Sequence, residues 1–183
     1  RSGIGGWRYG STASHILNHY KTPVLAVGPN ALQKPKSSVA YKRIMLPLDG
    51  SDLSEAAIPI ADSLGKALGA RVSLVRVVRW AVQAYPYTLP DTYVPQIDSE
   101  LESAAKEYLR QQEKQVTGAQ VDAFVVRGAI ADGLIDFIDR EGVDLVVMTT
   151  NARRGLARAA LGSVADRLLQ GSAPVLLIRP DES

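Results

Sequence analysis

From Arg43 onward, short apolar runs alternate with stretches whose apolar residues recur every three or four positions. Few folds satisfy that alternation. A strand buried on both faces reads as an unbroken apolar run, and a helix covering it carries one apolar stripe. The runs are Arg43–Leu48, Val72–Val78, Val121–Arg127, Asp144–Thr149 and Pro174–Ile178. The spacing predicts a helix from Ser51 or Asp52 to about Leu68, closed by Gly69, with Leu53, Ala56, Ala57, Ile60, Leu64 and Leu68 on one face. Further helices are expected from Ile97 to about Val116, over Ala131–Glu141 and over Ser163–Gln170. The expected architecture is a parallel sheet covered on both faces and wound by right-handed crossovers. Sheets of this kind take ligands outside the carboxyl ends of their strands, where strand order reverses. The loops after Leu48, Val78 and Met148 are therefore the ones to watch.

An internal repeat sets the domain organisation. Residues 10–29 read GSTASHILNHYKTPVLAVGP, and residues 162–180 read GSVADRLLQGSAPVLLIRP. Both open on Gly-Ser, pass through a helical pattern, and close on Pro-Val-Leu, two apolar residues, a variable one and Pro. Upstream, RSGIGGWRYGS aligns with RRGLARAALGS, so that Arg1, Gly3, Gly10 and Ser11 match Arg153, Gly155, Gly162 and Ser163. Residues 1–29 are thus expected to be the closing helix and strand of a first domain. Residues 30–41 are polar, aperiodic and carry Pro and Ser, which marks a linker, and 42–183 form a complete second copy. The strand at Pro23–Val27 is expected to pair with Pro174–Ile178, protecting an apolar edge.

Composition removes whole classes of function. There is no cysteine, so disulfides, thiolate metal sites and cysteine nucleophiles are excluded, and a reducing cytoplasm fits. The formal net charge of +2 gives no basic excess for a nucleic acid. No apolar run has the length of a membrane helix. The only histidines, His15 and His19, lie in the N-terminal piece at a spacing that suits a solvated helix face as well as a metal. The complete domain has none, which removes histidine-based triads and the commonest general base.

The candidates for chemistry sit in the three loops. Asp49, in Pro47-Leu48-Asp49-Gly50-Ser51, can accept hydrogen bonds from an amine or a hydroxyl, or can simply form an Asx turn and helix cap. Gly162-Ser163 can offer backbone N–H groups and a hydroxyl to a phosphate at a helix start, with Arg153, Arg154 and Arg158 before it, or can merely begin a capped helix. Residues 79–96 hold Trp80, Tyr85, Tyr87 and Tyr93 and leave a strand at its carboxyl end. They suit a lid over a cleft, a loop pinned by its aromatics, or a partner surface.

Asp49-Gly50-Ser51 after a strand, Gly128 after the third strand, and RRGLARAALGSVADRLL followed by PVLLIRP resemble the universal stress protein family across 42–179. The resemblance implies an α/β three-layer sandwich with a five-stranded parallel sheet, adenine-nucleotide α-hydrolase-like, often dimerising through its last strand. It also implies adenine and ribose contacts at Leu48, Asp49, Val77 and Met148, with phosphate contacts from Thr149 through Ala152 and Arg153 to Gly162, Ser163 and Val164. Nucleotide-binding members carry Gly-x-x-Gly, nine residues, then Gly-Ser. Here Thr149 and Ala152 stand at the two loop glycines, while Gly162-Ser163 is kept. Side chains there would crowd a ligand, and a non-glycine residue at positive φ would add about 1 kcal/mol of strain. Arg153 and Arg154 could compensate by pairing with phosphates.

The resemblance therefore supports a stress-response protein that acts by association, as a homodimer or tandem pseudo-dimer through 23–27 and 174–178, with a degenerate nucleotide site and no catalysis. The alternative is a competent ATP or AMP binder, with Mg²⁺ if ATP, and at most a weak ATPase. An unrelated enzyme of the adenine-nucleotide hydrolase group would need the complete phosphate loop that this sequence lacks.

Overall fold

The computed structural model describes residues 22–33, 40–80, 94–150 and 162–179. Its strands are β1 (Val24–Ala26), β2 (Arg43–Pro47), β3 (Arg71–Val78), β4 (Val121–Arg127), β5 (Leu145–Thr149) and β6 (Val175–Ile178). Its helices are α1 (Pro29–Gln33), α2 (Asp52–Glu55), α3 (Ile58–Leu68), α4 (Val94–Glu113), α5 (Ile130–Glu141) and α6 (Ser163–Leu168). One sheet runs β1-β6-β5-β2-β3-β4. Strands β2 to β6 are parallel, the five expected, and β1 joins β6 antiparallel with Val24 opposite Leu177 and Ala26 opposite Val175.

Side-chain alternation along the strands builds a core on each face. Met45, Val75 and Val146 pack with Leu134, Phe137 and Ile138 of α5 and Ala165 and Leu168 of α6. Ile44, Leu46, Val72 and Leu74 pack on the opposite face with Ala57, Ile58 and Ala61 near α3 and Leu109 of α4. Neither face of the β2 centre needs a polar residue, so Ile44, Met45 and Leu46 read as a continuous apolar run.

Three local differences from expectation have simple causes. The helix expected over 51–68 is broken into α2 and α3 by a turn at Ala56-Ala57. Pro59 has no N–H for the Glu55 carbonyl, and its ring would crowd that carbonyl in a continuous helix. Helix α4 begins at Val94, ahead of the predicted Ile97, because Pro95 is well tolerated in a first turn. A short helix overlaps the start of the expected linker. Pro29 opens α1, and Asn30 Nδ2 donates to the Gln170 carbonyl at 2.6 Å.

That contact belongs to a close docking of residues 22–33 against the end of α6. A Cβ at Gly28 would stand 1.7 Å from the Leu169 carbonyl oxygen, so only glycine lets the two backbones approach. Gly28→Ala should therefore destabilise the protein by about 1–3 kcal/mol, as overpacking does. Chemical denaturation checks this, and limited proteolysis should show earlier cleavage near residues 22–33 than in the wild type.

Candidate functional site

The cleft originates in how β2 shares its two neighbours. Towards β3 the pairing runs from Arg43–Arg71 up to Pro47–Val75, and Leu48 N–H continues it to the Val75 carbonyl at 2.9 Å. Towards β5 it stops after Ile44–Leu145 and Met45–Val146. Successive N–H groups of a strand point to alternate sides. Since Leu48 donates towards β3, the ring nitrogen of Pro47 faces β5 and has no hydrogen to give. Meanwhile β5 stays with β6 up to Thr149 opposite Ile178. The strands separate where strand order reverses, and a cavity of about 540 Å³ opens there.

The wall of this cavity brings together Leu48, Asp49, Val77, Met148, Thr149, Gly162, Ser163 and Val164, residues drawn from the carboxyl ends of β2, β3 and β5 and from the start of α6. Ala152 and Arg153, with Arg154 and Arg158, lie outside the described residues, as do His15 and His19. Ser54, Arg76, Ile130 and Leu134 also line it. None of the four is singled out by the sequence; Leu134 falls within the helix expected over Ala131–Glu141, and Ile130 just precedes it. The available signal for Arg76 was a cation inside the apolar run VSLVRVV.

Asp49 makes the Asx turn that Asp-Gly-Ser suggests. Its Oδ1 accepts from Ser51 N–H at 3.0 Å and from Ser51 Oγ at 2.5 Å, and its own N–H donates to Ser54 Oγ at 3.3 Å. Ser51 is also the N-cap of α2, accepting from Ser54 N–H at 3.2 Å. Partial burial pushes the Asp49 pKa up, but the bonds from Ser51 and Ser54 outweigh it and hold the carboxyl below its ordinary value. Asp49 is thus ionised and fixed, an acceptor presented at the cavity wall.

Thr149 corrects the strain argument. It is buried at the end of β5, and no described non-glycine residue has a positive φ. The cost expected from threonine at a glycine position does not arise, and only its bulk remains. Gly162 keeps the glycine conformation, with φ at 93°, as N-cap of α6. Among the described residues no side chain caps that helix start, which lies at the cavity wall.

Most of the aromatic segment, residues 81–93, lies outside the described residues. Trp80 does not line the cavity. It packs under the Arg127 guanidinium, whose carbon is 4.9 Å from the ring centroid. Arg127 in turn pairs with Glu102, with Nε donating at 2.9 Å, and lies 3.6 Å from Asp98, tying α4 to the end of β4. The Lys106 ammonium first, and then the Arg127 guanidinium, lower the Glu102 pKa from 4.5 to about 2. The folded protein binds this proton less readily than the unfolded chain. The tie's contribution is therefore complete above pH 4.5 and drains away as pH falls towards 2. Carboxyl-carbon NMR should place the Glu102 midpoint near 2, and Lys106→Met or Arg127→Gln should each move it back towards 4.5.

Among the described residues there is no cluster of His, Cys, Asp or Glu that could hold a metal, and no helix is long and apolar enough to cross a membrane. Five parallel strands covered on both faces, with a cleft at the reversal of strand order, define the class: an α/β domain with a switch-point ligand site. Residues 40–179 match the sequence model of the Universal stress protein family, and the chain belongs to that family. Universal stress protein MJ0531 of Methanocaldococcus jannaschii is 32% identical over an alignment of 144 residues that covers 76% of this chain and 82% of that protein. Protein PA1789 of Pseudomonas aeruginosa has a similar structure, with a TM-score of 0.63 and 18% identity over 94% of this chain and 57% of its own. A universal stress protein in complex with cAMP is similar at TM-score 0.53 and 24% identity, over 76% of this chain and 97% of that one. At these identities the solved structures speak for the fold.

Proposed function

We propose that the cleft between β2 and β5 is an adenine-nucleotide site of reduced affinity, in a protein that acts by binding and association and not by turnover. The observation that carries this reading is the cavity itself, which gathers Asp49, Val77, Met148, Gly162 and Ser163 from three strand ends and one helix start onto one wall. In this reading Val77 and Met148 sandwich the base, the fixed Asp49 carboxylate accepts from its amine or from the ribose hydroxyls, and the start of α6 receives the phosphate. The similar protein in complex with cAMP supports a nucleotide class of ligand. Thr149 fills space that a glycine would leave open, which supports weakened binding. ATP would bring Mg²⁺ on its phosphates. Among the described residues Asp49 is the single carboxylate on the cavity wall, which offers no acid–base pair for efficient hydrolysis.

The ordinary backbone of Thr149 favours a second reading, a competent ATP or AMP binder with weak ATPase activity at most. Calorimetric titration with Mg·ATP, AMP and cAMP separates the two. The first reading predicts a Kd in the range of roughly 10 µM to 1 mM for at least one of them, weakened tenfold or more by Gly162→Val. Sub-micromolar binding would decide for the second reading. An absence of heat at millimolar nucleotide would reject both.

The association side rests on the N-terminal piece. We read residues 1–29 as the end of a first universal stress domain and β1–β6 as the contact between two copies. Antiparallel pairing of two strands with matching sequences supports this, since a twofold relation makes such pairs antiparallel. The similar Pseudomonas protein, which this chain spans to 57%, supports a longer tandem arrangement. A homodimer through the same strands, in the cytoplasm, is the single-copy counterpart.

A further inference from the structure

We infer that Arg76, itself on the cavity wall, is a positioning residue for the cleft, holding the Asp49-Gly50-Ser51 turn through Gly50 and Tyr108. The inference rests on the nucleotide reading of the site. Arg76 interrupts an apolar strand, where a charge costs solvation unless something compensates it. Its neighbours Val75 and Val77 turn to the α5–α6 face, so the Arg76 side chain lies on the opposite face, with Leu74 and α4. There its guanidinium carbon sits 4.6 Å from the centroid of the Tyr108 ring. Among the described residues no carboxylate forms an ion pair with it.

What the guanidinium touches instead is the turn. A Cβ at Gly50 would stand 2.6 Å from Nη1 and 3.2 Å from Nη2 of Arg76, so the guanidinium fills the space a side chain would take. Gly50 has a φ of 85° and joins Asp49 directly to its hydrogen-bond partner Ser51. A second grip comes from Tyr108, whose hydroxyl donates to Glu55 Oε1 at 2.9 Å, while Gln112 Nε2 donates to the same atom at 3.2 Å. Glu55 ends α2, the helix that Ser51 caps. Burial first, and then the bond to Glu55, raise the Tyr108 pKa, so the phenol keeps the proton it donates. The turn is held at Gly50 by Arg76 and at α2 by Tyr108, and these two side chains stack on each other. Removing Arg76 leaves a void under a glycine in an unusual conformation, and Asp49 loses its fixed direction.

The part of a nucleotide that meets Asp49 is common to adenosine, AMP and ATP, and this makes the inference testable. Arg76→Met keeps the length of the side chain and removes the planar cation. Titration of this variant should show all three ligands weakened by a similar factor, about five- to tenfold, at an unchanged melting temperature. Tyr108→Phe should give a smaller loss with the same uniform pattern. Unchanged affinities would overturn the inference. A loss that grows from adenosine to AMP to ATP would also overturn it, because Arg76 would then act on phosphate charge directly. If the wild type binds none of the three, the nucleotide reading falls, and hydrogen exchange in the free protein tests the positioning role. The Ser51 and Ser54 amides should exchange faster in Arg76→Met, and equal protection would sink the proposal.

Discussion

Strand β2 has to serve two neighbours, and it cannot serve both along its whole length. It keeps β3 as far as Leu48 and lets β5 go after Met45. Pro47 makes the release permanent, since the donor that would continue the pairing towards β5 is missing. Much of the molecule follows from this divergence. The turn at Asp49 rides on the β3 side of the gap, and Thr149 and α6 ride on the β5–β6 side. The cavity is the space between them, walled by Val77 and Met148 and backed by Leu134 of α5.

The two faces of the sheet contribute differently to that site. The α5–α6 face supplies its floor and the helix start at Gly162, within a core centred on fully buried residues such as Phe137 and Val146. The α3–α4 face supplies its tension, through the stack of Arg76 on Tyr108 and the bond from Tyr108 to Glu55. The end of α6 is braced in turn by Gly28 against Leu169 and by Asn30 against Gln170. The helix that opens the Gly162 side of the cleft therefore rests its other end on the N-terminal piece.

Much of this was legible in the sequence, for physical reasons that also mark where legibility stops. The five parallel strands were readable because burial on both faces leaves apolar runs such as Ile44–Leu46 and Leu145–Val147 with no polar interruption. The partner of β1 was readable because its sequence repeats that of β6. The break before α3 was in principle readable at Pro59, but the apolar stripe runs unbroken across it and hides it. Arg76 was not readable as a support for the turn, because Tyr108 reaches it from a distant helix and Gly50 meets it only in three dimensions. Thr149 shows the opposite error. A motif names the residue at a position but not its φ, and an expected strain vanished once β5 carried ordinary strand geometry through that position.

The central claim is that the gap between β2 and β5 receives a nucleotide. The most direct measurement is amide and methyl NMR of the protein titrated with Mg·ATP, AMP and cAMP in turn. The account predicts that at least one of them shifts the methyl groups of Val77 and Met148 and the amides of Asp49 and Ser163 together, along one binding curve. Saturable shifts confined to surfaces away from these residues, or no shifts at millimolar concentrations of any of the three, would contradict it.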